Sequence, residues 1–288
     1  MRRLPAFAAG LLLLGLALPA RASSLPGWLS SLEEAKKASA VTSKPILVDL
    51  YADWCGWCKQ LERQVYATPR FKEYATKLVL LRVDVEDGAE GSWLQSRFEA
   101  FSLPTTLLIN ADMVRVGRVN GFLPPEDYIR SLDQQLLLYR DLMTRFESQK
   151  SSSDIRTVQQ LAAELYERGD GRRAAGVWSR LLENGKVPAA VLGQFHYRLA
   201  DAWRLAGEYG KANHSVAAAQ REASSRSDQR LLEACDVMAF RIARESGECQ
   251  RAIAAIQTFL KQYPASEYQA WARQNLKELQ AKPTSCGV

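Results

Sequence analysis

A chain of 288 residues with 47% hydrophobic and 24% charged composition carries enough apolar material to bury two cores. Its formal charge of +6 falls to +3 once Arg2, Arg3 and Arg21 are assigned to a leader, and then divides into −1 over residues 23–150 and +4 over residues 151–288. So mild an asymmetry, without basic clusters interleaved with aromatics, excludes nucleic acid as the expected partner and suits a protein partner better.

Taken in order, Arg2 and Arg3, the apolar run from Leu11 to Leu18 and the small-x-small pattern Ala20-Arg21-Ala22 ahead of Ser23 predict a secretory signal peptide over residues 1–22. The run is too short to span a bilayer comfortably and no later run of about 18 apolar residues occurs, so no stable membrane insertion is expected after cleavage. No cysteine follows the cleavage pattern, which argues against a lipid anchor; an uncleaved signal is the minor alternative. Residues 26–40 carry Trp28, Leu32, Ala35 and Ala38 at helical spacing. Ile46, Leu47, Val48, Leu50 and Tyr51 form a short strand-like run behind Pro45, and helical spacing resumes after Cys55 through Leu61 and Val65, with a break expected at Pro69 before the helix ends near residue 74. Residues 78–85 read as a second strand, 88–101 as a helix, and 105–110 and 114–119 as a hairpin around Asn110-Ala111-Asp112. Pro125 opens a further helix with Glu126 and Asp127 in its first turn.

The chemistry concentrates in Asp49-Leu-Tyr-Ala-Asp-Trp-Cys-Gly-Trp-Cys-Lys59. Cys55 stands where strand passes to helix, so the unpartnered first amides and the positive end of the macrodipole favour its thiolate, which makes it the expected nucleophile. Cys58, three residues on and on the same helix face, is placed to attack a mixed disulfide formed at Cys55. Half of a zinc site is the competing reading, but residues 23–148 hold no other cysteine and no histidine. Asp49 lies between Val48 and Leu50 in a strand expected to be central, where a desolvated carboxylate has a raised pKa and can take a proton near neutrality. Asp53 reads as a solvated loop acid, Trp54 as a packing residue, and Trp57 as an exposed apolar lip for an incoming peptide.

This stretch resembles the thioredoxin superfamily, and its wording is closest to the periplasmic C-terminal domain of the DsbD family of thiol:disulfide interchange proteins; the likeness covers about residues 28–138. It implies an α/β domain with a central mixed sheet flanked by helices, over residues 23–148. It further implies a cis-proline at Leu103-Pro104 beside the cysteines, with Gly121 after the last strand, as a substrate-binding edge together with Trp57. It also implies that Asp49 exchanges a proton with Cys58. Thioredoxin itself carries Gly-Pro between its cysteines where Gly56-Trp57 stands here, so its strongly reducing character does not transfer.

The polar stretch 149–154 is the expected linker, with Asp154 as an N-cap. Beyond it only helical periodicity occurs, so residues 155–288 are expected to be all-α. The turns Gly169-Asp170, Gly207-Glu208 and Gly247-Glu248 repeat at 38 and then 40 residues, each followed at one offset by Ala174, Ala212 or Ala252 and then by Trp178, Val216 or Ile256. Leu165, Trp203 and Ala243 precede the turns at a shared offset, Pro264 closes the third unit, and residues 266–281 form a capping helix. The pattern resembles tetratricopeptide repeats, slightly longer than usual, in which helical hairpins stack because none buries its apolar face alone. His196 and His214 fall on separate helices of this half as packing or surface residues, and no metal site or cofactor is expected.

Three cysteines remain. Cys249 opens the second helix of the third hairpin, and at about 1.5 Å per residue a return helix of similar length brings Cys286 back beside it. Cys235 sits at the far end of that hairpin, beyond the roughly 7 Å limit on Cα separation, so a structural Cys249–Cys286 disulfide and a buried, inert Cys235 are expected.

Two functions fit these features. The first is a periplasmic or otherwise secreted thiol:disulfide oxidoreductase acting on disulfide-containing or thiol-containing proteins, with a membrane thiol reductase as a possible electron partner and helical repeats that recruit partners. The second is a non-catalytic adaptor whose helical half is the working surface. The intact cysteine pair and Asp49 favour the first.

Overall fold

The computed structural model describes residues 25–86, 89–184, 187–281 and 286; the expected signal peptide lies outside the described residues. The N-terminal half runs α1 (Leu32–Thr42), β1 (Ile46–Tyr51), α2 (Gly56–Leu61), a π-helical turn (Glu62–Tyr66), α3 (Pro69–Ala75), β2 (Val79–Asp84), α4 (Ala89–Arg97), β3 (Thr105–Ile109), β4 (Arg115–Asn120) and α5 (Pro125–Gln149). The strands form one sheet in the order β2-β1-β3-β4, with β1 and β2 parallel and the other pairs antiparallel. This is the mixed sheet of a thioredoxin-like α/β domain. Its central β1 is buried on both faces, which is why it reads as a nearly unbroken apolar run around Asp49.

One sheet face packs Leu47, Leu108, Val116 and Val119 under α2, the π-helical turn, α3 and α5; the other packs Val48, Leu50, Leu107 and Ile109 under α1 and α4. The cysteine helix, expected to run to about residue 74 with one break at Pro69, is in three pieces: it breaks before Pro69 as expected and also passes into a π-helical turn after Leu61. Ala67 N–H donates to Glu62 C=O across a π-type turn at 3.0 Å, and Thr68 then caps α3 by accepting from Phe71 N–H, with Pro69 at the first helical position where its missing N–H costs nothing. Both outer strands are covered in part. Leu29 exchanges backbone bonds with Leu80 and Arg82 on β2, and Arg115 N–H of β4 donates to Arg168 C=O at 2.7 Å.

That last bond belongs to the helical half, which comprises α6 (Ile155–Glu167), α7 (Gly171–Glu183), a short 3-10 turn (Ala189–Val191), α8 (Leu192–Leu205), α9 (Tyr209–Ser225), α10 (Gln229–Glu245), α11 (Cys249–Gln262) and α12 (Gln269–Ala281). The helix α5 serves both halves: Tyr128, Ile129 and Leu132 lie in the sheet core, whereas Leu142 lies in the core of α6 and α7. Arg168 fastens the joint by donating from Nη1 to Val116 C=O at 2.8 Å, while Arg115 Nη2 donates to Glu167 C=O at 3.0 Å.

Three successive helical hairpins, α6/α7, α8/α9 and α10/α11, close with the same turn. Gly169, Gly207 and Gly247 have φ of +83°, +73° and +80°, and the residue after each glycine donates its N–H to Leu165, Trp203 or Ala243 C=O at 2.9 Å. Such a left-handed closure favours glycine, which explains the spacing in the sequence. Ala174, Ala212 and Ala252 are fully buried where the second helix of each hairpin crosses the first. The residues just before the turns reach across to the next hairpin. Tyr166 OH donates to Asp201 Oδ2 at 2.6 Å, Arg204 Nη1 donates to both Glu245 oxygens at 2.7 Å, and Arg244 donates to Asn275 Oδ1 on α12.

Candidate redox site

Strand β1 ends at Tyr51, and a tight turn, in which Cys55 N–H donates to Ala52 C=O, delivers Cys55 to the N-cap of α2. Its Sγ accepts from Cys58 N–H at 3.1 Å. A sulfur so placed faces the helix's unpartnered amides, the environment that lowers a thiol pKa once the pair is reduced. The two cysteines are joined as a disulfide with Cα atoms 5.3 Å apart, packed among Ala52, Tyr51, Val85 and Leu103. Both are nearly closed to solvent.

The Leu103–Pro104 peptide bond is cis, and Gly121, at φ +76°, donates its N–H to Pro104 C=O at 2.8 Å. Leu103 therefore sits against the disulfide while Gly121 anchors the proline from the end of β4. Around them is an aromatic collar. Trp57 is 59% exposed and stacks on Phe122 with ring centroids 5.8 Å apart, and Phe101 is 71% exposed. Trp54 corrects the sequence reading: it is not a packing residue but 68% exposed, held at the surface by its Nε1–H donating to Glu86 Oε1 at 2.8 Å. Asp53 is exposed, as a loop acid should be.

The strand that leads to the cysteines carries a buried charged cluster that sequence reasoning found only in part. Asp49 is 1% exposed and sits in register between Arg82 on β2 and Thr106 on β3. Burial pushes its carboxyl up to about 6, against the opposing pull of Arg82 and of the Tyr66 hydroxyl. Arg82 Nε lies 3.3 Å from Asp49 Oδ2 as an ion pair without hydrogen-bond alignment, its Nη1 donates to Glu62 Oε2 at 2.6 Å, and its guanidinium lies over the Tyr51 ring at 4.1 Å. A lone arginine inside the apolar run of β2 was the signal for it. Its partner is invisible without the strand register. Tyr66, Tyr128 and Thr106 complete the cluster from the π-helical turn, α5 and β3.

The remaining predicted residues lie elsewhere. Cys249 and Cys286 are joined with Cα atoms 5.4 Å apart, in a core with Phe259, Ala272 and Leu279. Cys235 is a buried free thiol whose pKa burial pushes up to about 12, which makes it unreactive. His196 on α8 and His214 on α9 stand apart from the redox site. Among the described residues no group of three or more His, Cys, Asp or Glu side chains is arranged to hold a metal ion, and no helix is long and apolar enough to cross a membrane.

Residues 27–111 match a thioredoxin-like family model. The thiol:disulfide interchange protein DsbD of Ralstonia nicotianae is 36% identical over 110 residues, covering 38% of this chain and 18% of that protein, and DsbD of Haemophilus ducreyi is 31% identical over 110 residues, covering 37% and 19%. The chain thus spans less than a fifth of the curated relatives it matches. Among solved structures, the oxidised DsbD C-terminal domain of Neisseria meningitidis aligns over 38% of this chain and 98% of that one at 21% identity with a TM-score of 0.34, and a DsbH oxidoreductase over 43% and 93% at 24% and 0.36. The chain carries a thioredoxin-like domain resembling the DsbD C-terminal domain, with a Cys55–Cys58 pair of the disulfide oxidoreductase type, followed by a helical region.

Proposed function

We propose that the protein is a periplasmic or otherwise secreted thiol:disulfide oxidoreductase that reduces or exchanges disulfides in partner proteins through Cys55 and Cys58. The observation that carries this is Cys55 Sγ at the N-cap of α2, accepting from Cys58 N–H, next to the cis-proline edge, with a buried carboxylate on the strand that leads to it. In the reducing direction the Cys55 thiolate attacks a partner disulfide and expels one partner thiolate. Cys58 then gives up its proton to Asp49, attacks Cys55 Sγ and releases the second partner sulfur, so the partner gains two electrons and Cys55–Cys58 becomes the disulfide. An incoming extended segment pairs its backbone beside Pro104 and rests its side chains on Leu103, Trp57 and Gly121. A thiol-bearing donor, such as a membrane thiol reductase, restores the dithiol. The helical hairpins, read as tetratricopeptide-like repeats from their equal turns and buried alanines, recruit the partner.

Single substitutions test the roles. Cys58→Ser is expected to attack substrate and accumulate mixed disulfides, whereas Cys55→Ser forms none and loses exchange, as read by non-reducing electrophoresis after incubation with a disulfide-bonded protein. Equal trapping by both variants would void the assignment.

A further inference from the structure

Asp49 faces named groups on four elements: Arg82 from β2, Glu62 and Tyr66 from the π-helical turn, Thr106 from β3 and Tyr128 from α5. Of these, Tyr66 is the hydrogen-bond donor to the carboxylate among the described residues, its OH lying 3.0 Å from Oδ1, whereas the Arg82 contact is unaligned. Tyr66 OH lies 3.1 Å from Tyr128 OH and 3.4 Å from Thr106 Oγ1, and Thr106 and Tyr128 are 2.7 Å apart. All three side chains are buried, at 3%, 0% and 1% exposure. The Tyr66 ring is clamped between Trp28 and Phe71, with centroids 4.8 and 4.9 Å away, so its hydroxyl has little freedom to leave.

Counting protons gives the triangle a property that simple packing does not require. With Asp49 ionised, Tyr66 donates to Asp49, Tyr128 to Tyr66 and Thr106 to Tyr128. With Asp49 protonated on Oδ1, the carboxyl donates to Tyr66, Tyr66 to Tyr128, Tyr128 to Thr106, and Thr106 back to Tyr66. Every hydroxyl proton finds an acceptor in both states by rotation about C–O bonds alone, with no heavy-atom movement. A buried carboxyl that must change charge during turnover otherwise leaves one state with an unmatched polar group, which is costly.

We propose that Tyr66, Tyr128 and Thr106 are positioning residues that form a reversible hydroxyl ring, matching both protonation states of Asp49 and so setting the pH at which it accepts the Cys58 proton. The functional half of this inference rests on the redox reading above; the titration half does not. The test follows the 13C carboxyl resonance of Asp49, assigned with Asp49→Asn, from pH 4 to 8 in the full-length oxidised protein, alongside the pH profile of mixed-disulfide resolution. In Tyr66→Phe the ionised carboxylate loses its donor and the protonated carboxyl its acceptor; the loss weighs more on the charged form, whose hydrogen bonds are stronger, so the Asp49 midpoint is expected to rise by about one pH unit. Tyr128→Phe and Thr106→Val shift it less in the same direction, Thr106→Ser restores it, and the resolution profile moves with it. An unmoved Asp49 midpoint in Tyr66→Phe overturns the proposal, as does a moved midpoint with an unmoved resolution profile. Should Tyr66→Phe fail to fold, Tyr128→Phe carries the same test one bond further out. Absence of exchange in the unsubstituted protein would instead strike the redox reading, and the carboxyl titration would still decide the ring.

Discussion

Asp49 is kept at a cost to the fold. Its carboxyl titrates near 6 when buried, against 3.8 as the ordinary value, so the folded chain binds this proton more tightly than the unfolded chain does. A folded pKa raised in this way contributes stability that is complete below about pH 4 and is lost as pH climbs through about 6. A difference of about two units corresponds to about 3 kcal/mol. Asp49→Asn, neutral at every pH, is therefore expected to stabilise the protein by up to about that amount at pH 8 and hardly at all at pH 4, while slowing disulfide resolution. Urea midpoints at the two pH values check this; equal midpoints for variant and parent at pH 8 would mean that Arg82 and Tyr66 fully compensate the buried charge. Retaining so costly a group in a central strand is what a proton-handling role requires.

Among the elements, the three hairpins depend on polar rungs as well as on apolar stacking. Arg204 is 8% exposed and joins Asp201 on its own helix to Glu245 on the next hairpin. Arg204→Ala leaves Glu245 unpaired and Asp201 with Tyr166 alone and is expected to cost about 3 kcal/mol, whereas pairing Arg204→Met with Glu245→Leu recovers most of the loss. Thermal unfolding of both variants checks this. The rungs also mark where the sequence stops being informative. The glycine spacing was legible because a left-handed closure restricts residue type, and the Cys-Gly-Trp-Cys turn because a strand-to-helix junction fixes where Cys55 must sit. Asp49 was legible as an acid in an apolar strand. Its neighbours were not: Arg82 and Thr106 meet it through strand register, Tyr66 through a π-type turn that adds a residue to the helical spacing, and Tyr128 from a helix 62 residues beyond Tyr66. Trp54 was misread because its aromatic bulk suggested packing, while a hydrogen bond to Glu86 holds it outside.

At the scale of the whole molecule, α5 and the Arg168 joint make the two halves share helix and strand. Arg168→Ala removes donors to Arg115 and Val116 carbonyls but keeps its own carbonyl, the acceptor for Arg115 N–H. Because charge-assisted bonds of this kind contribute roughly 1.5–3 kcal/mol, hydrogen exchange at the Arg115 amide is expected to accelerate about tenfold or more, with β1 amides unchanged. Equal protection in variant and parent would show that α5 alone holds the halves together. The joint has a second consequence. An uncovered outer strand invites a strand from another molecule to zip onto it. With Leu29 paired to Leu80 and Arg82 on β2 and the first hairpin turn bonded to Arg115 and Val116 on β4, each rim has part of its backbone already taken, which shortens the stretch along which a foreign strand could be templated.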